Sequence, residues 1–107
     1  FDEGEGEKMQ WDDYISAQYV GYFLDGRAFA NTYKRSEPFK FYLGNMIPAW
    51  REGLAKLGPG GKIRLLVPSD LGYGADGLNT SKGIILIPPH EVLAFEVEIL
   101  ERLPTPR

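Results

Sequence analysis

The chain has no cysteine and a single histidine. Without thiols it forms no disulfide, carries no cysteine nucleophile and builds no cysteine metal site, and His90 alone cannot make a histidine cage. The absence of cysteine suits a reducing or an oxidising compartment equally. Basic runs are missing too. The net charge is -3 and no cluster of Lys and Arg approaches a nucleic-acid stripe, which argues against DNA or RNA as a partner. No apolar stretch nears the roughly 20 residues of a membrane span. The usual catalytic sets do not assemble either. His90 follows Pro88-Pro89 with no serine signature beside it, which argues against a hydrolytic triad. Asp12-Asp13 open a strand, and Glu96 and Glu98 fall on a strand's solvent face, so both carboxylate pairs have a plain structural account. The glycines of YGADG at 73–77 do not open a helix after a strand, as a phosphate cradle requires. No metal and no cofactor is implied.

What is present is one domain's worth of chain, 107 residues with 43% apolar and 25% charged, in the ordinary globular range. Two Trp, six Tyr and six Phe stand among 13 Gly and 8 Pro. Many turns with many aromatics suggest a β-rich domain around an aromatic-lined concavity. The chain starts at Phe1 rather than at a methionine, so a trimmed or processed product is expected, with any targeting segment out of view.

Residues 1–13 are acidic, with no apolar periodicity. They are assigned to an acidic N-terminal arm or linker remnant ahead of a domain at 14–107. The first eight read as solvated, and equally as a loop that leads into the first strand. From Tyr14, residues Ile15, Ala17, Tyr19, Gly21 and Phe23 alternate with polar and smaller ones, the period of a strand. Asp25-Gly26 supplies a hairpin turn before 27–31, and 38–43 alternates again with Phe39 and Phe41 on one face. Pro48 opens the one convincing helix, where a missing N–H costs nothing. Trp50, Leu54 and Leu57 give it a single apolar face, and Gly58-Pro59 ends it. Ile63, Leu65 and Val67 mark a further strand, and Leu93, Phe95, Val97 and Ile99 the last. Between them, 69–91 is a connection longer than compact domains carry without a function. These elements predict an α+β fold, an antiparallel sheet curled against one short helix.

Tyr19, Phe29, Phe39, Trp50, Tyr73 and Phe95 fall at or near inward positions of five elements. Core packing is the plainer account of such residues, and the pattern alone leaves it standing beside a pocket.

The motifs are more specific. Gln18-Tyr19-Val20-Gly21, then Leu24-Asp25-Gly26 and Phe29, resemble the HYTG…L-x-DG-x-x-F region of the FKBP-type peptidyl-prolyl cis-trans isomerases. Residues 38–44 match their PF-x-F-x-LG segment, and 46–54 resemble VIPGW-x-EGL. Residues 73–75, 87–90 and 93–100 resemble YGA, IPPH and LVFDVELL. Six motifs in order span 14–101 at near-family spacing. The resemblance implies a strongly curved half-barrel sheet wrapped around the helix at 49–57, with Trp50 as the floor of a shallow pocket. It implies walls from Tyr19, Phe29, Phe39, Met46, Ile47, Tyr73 and Phe95, with Leu86 and Ile87 in the flap at the mouth. Catalytic roles would fall to Trp50, to the Ile47 backbone N–H and to the Tyr73 hydroxyl. Implied partners are unfolded or partly folded polypeptides containing proline, and macrolides of the rapamycin type.

Two departures stand out. The family carries Asp directly after the phenylalanine that matches Phe29, and here Ala30 follows it. Reduced turnover with retained peptide binding is therefore expected, with a non-catalytic proline-binding or chaperone module as the alternative. Asn31 faces the other way on an extended strand, and Arg35 is left without the acidic partner the family provides. Second, 78–82 lengthens the flap as a polar stretch, which reads either as a tolerated surface insertion or, with the exposed apolar run 83–87 (GIILI), as a segment that reaches a client chain or partner. The short connection from Gly44 to Trp50 has the length of many bacterial members. With the acidic arm it points toward a bacterial envelope or periplasmic setting, the cytoplasm also being compatible.

Overall fold

The computed structural model describes residues 2–34, 37–79 and 85–104, with the side chains of Asn79, Ile85 and Leu86 outside that description. Strand β1 (Tyr14–Phe23) is followed by β2 (Ala28–Asn31), β3 (Phe39–Tyr42), helix α1 (Pro48–Leu54), β4 (Lys62–Val67), the short pair β5 (Leu78–Asn79) and β6 (Ile85–Ile87), and β7 (Leu93–Leu103). Five of these strands form one antiparallel sheet in the order β2-β1-β7-β4, with β3 also paired to β1. The β1 strand is therefore shared along one edge. Its first part, Tyr14 to Ala17, meets β3, and Val20 to Tyr22 meet β2. Register shifts interrupt β1 at Ser16/Ala17 against β7 and at Gly21/Tyr22 against β2. Each such bulge bends the strand and raises its twist, which curls the sheet around α1.

Alternation decides which face is inside. Leu93, Phe95, Val97 and Ile99 of β7 are buried together with Ile15 and Ala17 of β1 and Val67 of β4. Trp50 and Leu54 of α1 press onto that concave face, and both are almost fully covered. A seven-residue helix has too few hydrogen bonds to persist alone, so this packing maintains it.

The structure corrects three expectations. The helix ends at Leu54, not near Leu57. Lys56 N–H donates to the Gly53 carbonyl at 3.2 Å and Leu57 N–H to the Leu54 carbonyl at 3.0 Å, which tightens the last turn. Leu57 is still fully buried, because a tightened turn continues an apolar face nearly as an α-turn does. The first residues are not solvated throughout. Asp2 exchanges two backbone hydrogen bonds with Lys62, Gly58 N–H donates to the Glu3 carbonyl at 2.8 Å, and Met9 is buried with its N–H on the Leu57 carbonyl. Arg102 adds hydrogen bonds to the Glu7 and Lys8 carbonyls and an ion pair to Asp13. Finally, Ile87 is 1% exposed and belongs to the core, so the run 83–87 is not exposed at that end. Gly83 and Ile84 lie outside the described residues, as do 80–82 of the insertion. Its first two residues, Leu78 and Asn79, pair with β6.

Candidate active site

The aromatic residues meet between the sheet and α1. Tyr19 stands edge-on to Trp50 at 4.9 Å between ring centroids and to Phe39 at 5.4 Å, with Phe95 at 6.2 Å. Phe95 is perpendicular to Trp50 at 5.4 Å and to Phe29 at 5.6 Å. Phe41 supports Trp50 from behind, also at 5.4 Å. The quadrupoles of aromatic rings favour such edge-to-face contacts, each adding about 0.5–1.5 kcal/mol beyond area burial. Strands β1, β2, β3 and β7 and helix α1 each contribute a ring, which no single segment could supply.

The backbone makes room for them. A Cβ at Gly21 would lie 2.5 Å from Cζ of Phe29, so glycine in β1 is what lets the Phe29 ring lie across the strand toward Phe95. Met46, Ile47 and Tyr73 are half-buried and complete the surround. Tyr73 is fixed by its loop. Gly74 N–H donates to the Ser69 carbonyl at 2.7 Å, Gly77 N–H to the Tyr73 carbonyl at 3.0 Å, and His90 N–H to the Gly74 carbonyl at 2.8 Å. Gly77 sits at φ +69°, and a Cβ there would fall 2.3 Å from the Ile87 carbonyl oxygen, so the loop closes onto β6 only with glycine.

The polar groups at the site are few. Burial raises the Tyr73 hydroxyl above its usual range, and the nearby Tyr19 hydroxyl adds to the shift, so Tyr73 is a protonated donor at neutral pH. Ile47 is the N-cap of α1, its carbonyl accepting from Trp50 and Arg51. Among the described residues nothing accepts the Ile47 N–H or the Tyr73 hydroxyl hydrogen. The Trp50 indole N–H is buried with no acceptor among the described residues, and the rings of Tyr19, Phe41 and Phe95 pack around the indole.

Of the residues singled out in the sequence, Tyr19, Phe29, Phe39, Met46, Ile47, Trp50, Tyr73 and Phe95 come together here. Trp50 is more deeply covered than a floor open to solvent, at 1% exposure. Ile87 lies in the core, and the Leu86 side chain is outside the described residues. Ala30 pairs with Gly21 beside Phe29 and brings no charge. Asn31 does not replace it, since its Oδ1 accepts the Tyr33 N–H at 3.0 Å; Arg35 lies outside the described residues. The sequence reading missed Thr32, which is buried beside Tyr19. A hydroxyl residue directly after a strand's last paired residue was the available signal. Among the described residues, surface concavities of about 340, 600 and 430 Å³ lie elsewhere, and none of these is lined by Trp50.

An antiparallel sheet curled around one short helix, with rings from four of its strands and from the helix meeting between them, defines the fold and the candidate site. The profile of the FKBP-type peptidyl-prolyl cis-trans isomerases matches residues 5–100, and the chain belongs to that family. It is 40% identical over 104 residues to the Escherichia coli FKBP-type peptidyl-prolyl cis-trans isomerase FkpA, covering 97% of this chain and 36% of that protein. The crystal structure of E. coli FkpA superposes with a TM-score of 0.86 at 40% identity, over 99% of this chain and 47% of that one. The crystal structure of AtFKBP13 gives a TM-score of 0.82 at 32% identity, over 95% and 88%. The chain thus spans about a third of the length of the curated FkpA relative.

Proposed function

We propose that this domain catalyses cis–trans isomerisation of X–Pro bonds in unfolded or partly folded polypeptides, with the proline ring held among Tyr19, Phe39, Trp50 and Phe95. The observation that carries the proposal is the convergence of rings from five elements next to two unengaged donors, Ile47 N–H and Tyr73 O–H. Rotation about an X–Pro bond must break amide resonance, against a barrier of about 18–20 kcal/mol. The planar amide is the more charge-separated state, so an apolar hollow favours the twisted amide relative to it. Ile47 N–H and Tyr73 O–H each bind a substrate carbonyl, holding the flanking chain while the prolyl bond turns. No nucleophile, metal or cofactor takes part in such a rotation. The same hollow is suited to the apolar rings of a rapamycin-type macrolide. Quenching of Trp50 fluorescence in a Trp11→Phe background tests that, since Trp11 is 74% exposed and would contribute its own signal. The absence of quenching at saturating macrolide removes the ligand from the proposal.

A second reading, peptide binding with little turnover, is favoured by Ala30. Polarisation at the hollow's edge by a carboxylate is missing there, and Asn31 is engaged elsewhere. Ala30→Asp tests it by turnover of a proline tetrapeptide. A rise in kcat with unchanged peptide affinity assigns the deficit to Ala30, and unchanged turnover removes Ala30 from the explanation.

A further inference from the structure

The edge of β1 that faces β2 and β3 has a gap. Its partners on β3 end at Ala17, and those on β2 begin at Val20. Gln18 and Tyr19 lie between the two ladders, and Tyr19 is the residue whose ring meets Phe39, Trp50 and Phe95. The next backbone pair would be Tyr19 with Thr32, but at Thr32 the chain leaves β2 for the single 3-10 turn Thr32–Lys34.

The Thr32 side chain fills the gap. Tyr19 N–H donates to Thr32 Oγ1 at 2.8 Å, and Oγ1–H donates to Gln18 Oε1 at 2.6 Å. The Tyr19 carbonyl lies 3.3 Å from the same hydroxyl, a poorer acceptor for its one proton. Thr32 is 2% exposed, so water does not replace these bonds easily. A buried hydroxyl that uses both its acceptor and its donor capacity on two adjacent strand residues acts as a clip across the sheet.

We infer that Thr32, supported by Gln18, is a positioning residue for the proline hollow: it holds the β1 backbone at Tyr19 and thereby sets the ring against Phe39, Trp50 and Phe95. This rests on reading that hollow as the X–Pro site. Thr32 does not touch the substrate. A ring wall meets the proline in the planar and in the twisted state, so misplacing it weakens both about equally and is read mainly in KM.

The test is Thr32→Val, which keeps the shape and deletes the hydroxyl, compared with Thr32→Ser, which keeps the hydroxyl. Amide hydrogen exchange by NMR is the first readout. Thr32→Val is expected to speed Tyr19 exchange at least about tenfold and leave the amides of Val97 and Ile99 protected, while Thr32→Ser leaves Tyr19 near wild type. The second readout is tetrapeptide isomerisation. Thr32→Val lowers kcat/KM about tenfold, chiefly through KM, and Thr32→Ser restores it to within about twofold. Unchanged Tyr19 exchange overturns the inference, and so does faster exchange with unaltered KM. Should Thr32→Val not fold, Gln18→Leu asks the same question. It leaves the hydroxyl only the weaker carbonyl acceptor, and an increase in KM of about threefold is expected; no increase overturns the inference. If the wild-type domain has no turnover, the isomerase reading fails by itself. Tyr19 exchange and tetrapeptide Kd then decide on Thr32, with about a tenfold rise in Kd expected for Thr32→Val and an unchanged Kd contradicting it.

Discussion

The two faces of the sheet are built from the same strands and do different work. Along β7, Phe95, Val97 and Ile99 turn into the concave face and are buried, while Glu96 and Glu98 between them turn outward. The concave face holds the ring cluster over α1. On the convex face the cross-strand pairs Arg64↔Glu96 and Lys62↔Glu98 bring charges to 3.5 and 3.9 Å, and the Tyr33 hydroxyl donates to Glu98 at 3.0 Å. Those ion pairs stand largely in water, where such contacts contribute about 0–1 kcal/mol. A roughly 340 Å³ hollow opens on this outer face, lined by these very charges. The concave face is apolar and covered by rings, whereas the convex face is charged and open to water.

If that contrast is right, substitutions on the two faces should separate cleanly. The largest effect is expected for Trp50→Ala, which empties the centre of the concave face and should cost about 3–5 kcal/mol in denaturant unfolding. A loss below about 1 kcal/mol would mean that the rings are not the core. Next comes Tyr73→Phe, which removes one rim donor and keeps the ring. It should lower kcat/KM about tenfold while the unfolding midpoint barely moves; a full-rate variant would take Tyr73 out of the mechanism.

A smaller effect links the two faces through pH. Burial raises Tyr73 on the inner face, and burial followed by the Glu98 hydrogen bond raises Tyr33 on the outer face. For an acid whose folded value lies above its unfolded value near 10, the stabilising contribution is complete below pH 10. It is lost as pH rises through the folded value. Stability should therefore fall above about pH 10, less steeply in Tyr73→Phe and in Tyr33→Phe. Equal slopes in wild type and both variants would contradict this. The smallest effect belongs to Arg64→Ala, which should change stability by no more than about 0.5 kcal/mol and leave turnover untouched. If it cost as much as Trp50→Ala, the division between the faces would collapse.

Much of this was legible in the chain because burial imposed a period on it. The alternation at Ile15, Ala17 and Tyr19, and at Phe95, Val97 and Ile99, is the sheet's concave face written in sequence, and six ordered motifs located the ring cluster. What escaped had no periodic signal. The docking of residues 2–9 depends on backbone hydrogen bonds to Pro59 and Lys62, and these leave no side-chain mark. Met9 stands between Lys8 and Gln10 with no apolar period around it, yet it is buried while Trp11 is exposed. The end of α1 was placed late because Leu57 keeps the apolar spacing through a turn that is no longer α-helical. Ile87 looked exposed within GIILI, whereas β6 turns it into the core. Thr32 carried only a local mark, a hydroxyl at a strand's end, because the gap it fills between two partner strands exists only once the sheet has formed.

The decisive measurement is exchange between the cis and trans forms of a proline tetrapeptide, followed by NMR with catalytic amounts of the wild-type domain and no coupled protease. The concave face described here predicts exchange faster than in buffer, with the peptide shifting the ring resonances of Tyr19, Phe39 and Phe95. Exchange at the buffer rate, with those resonances unmoved at saturating peptide, would contradict it.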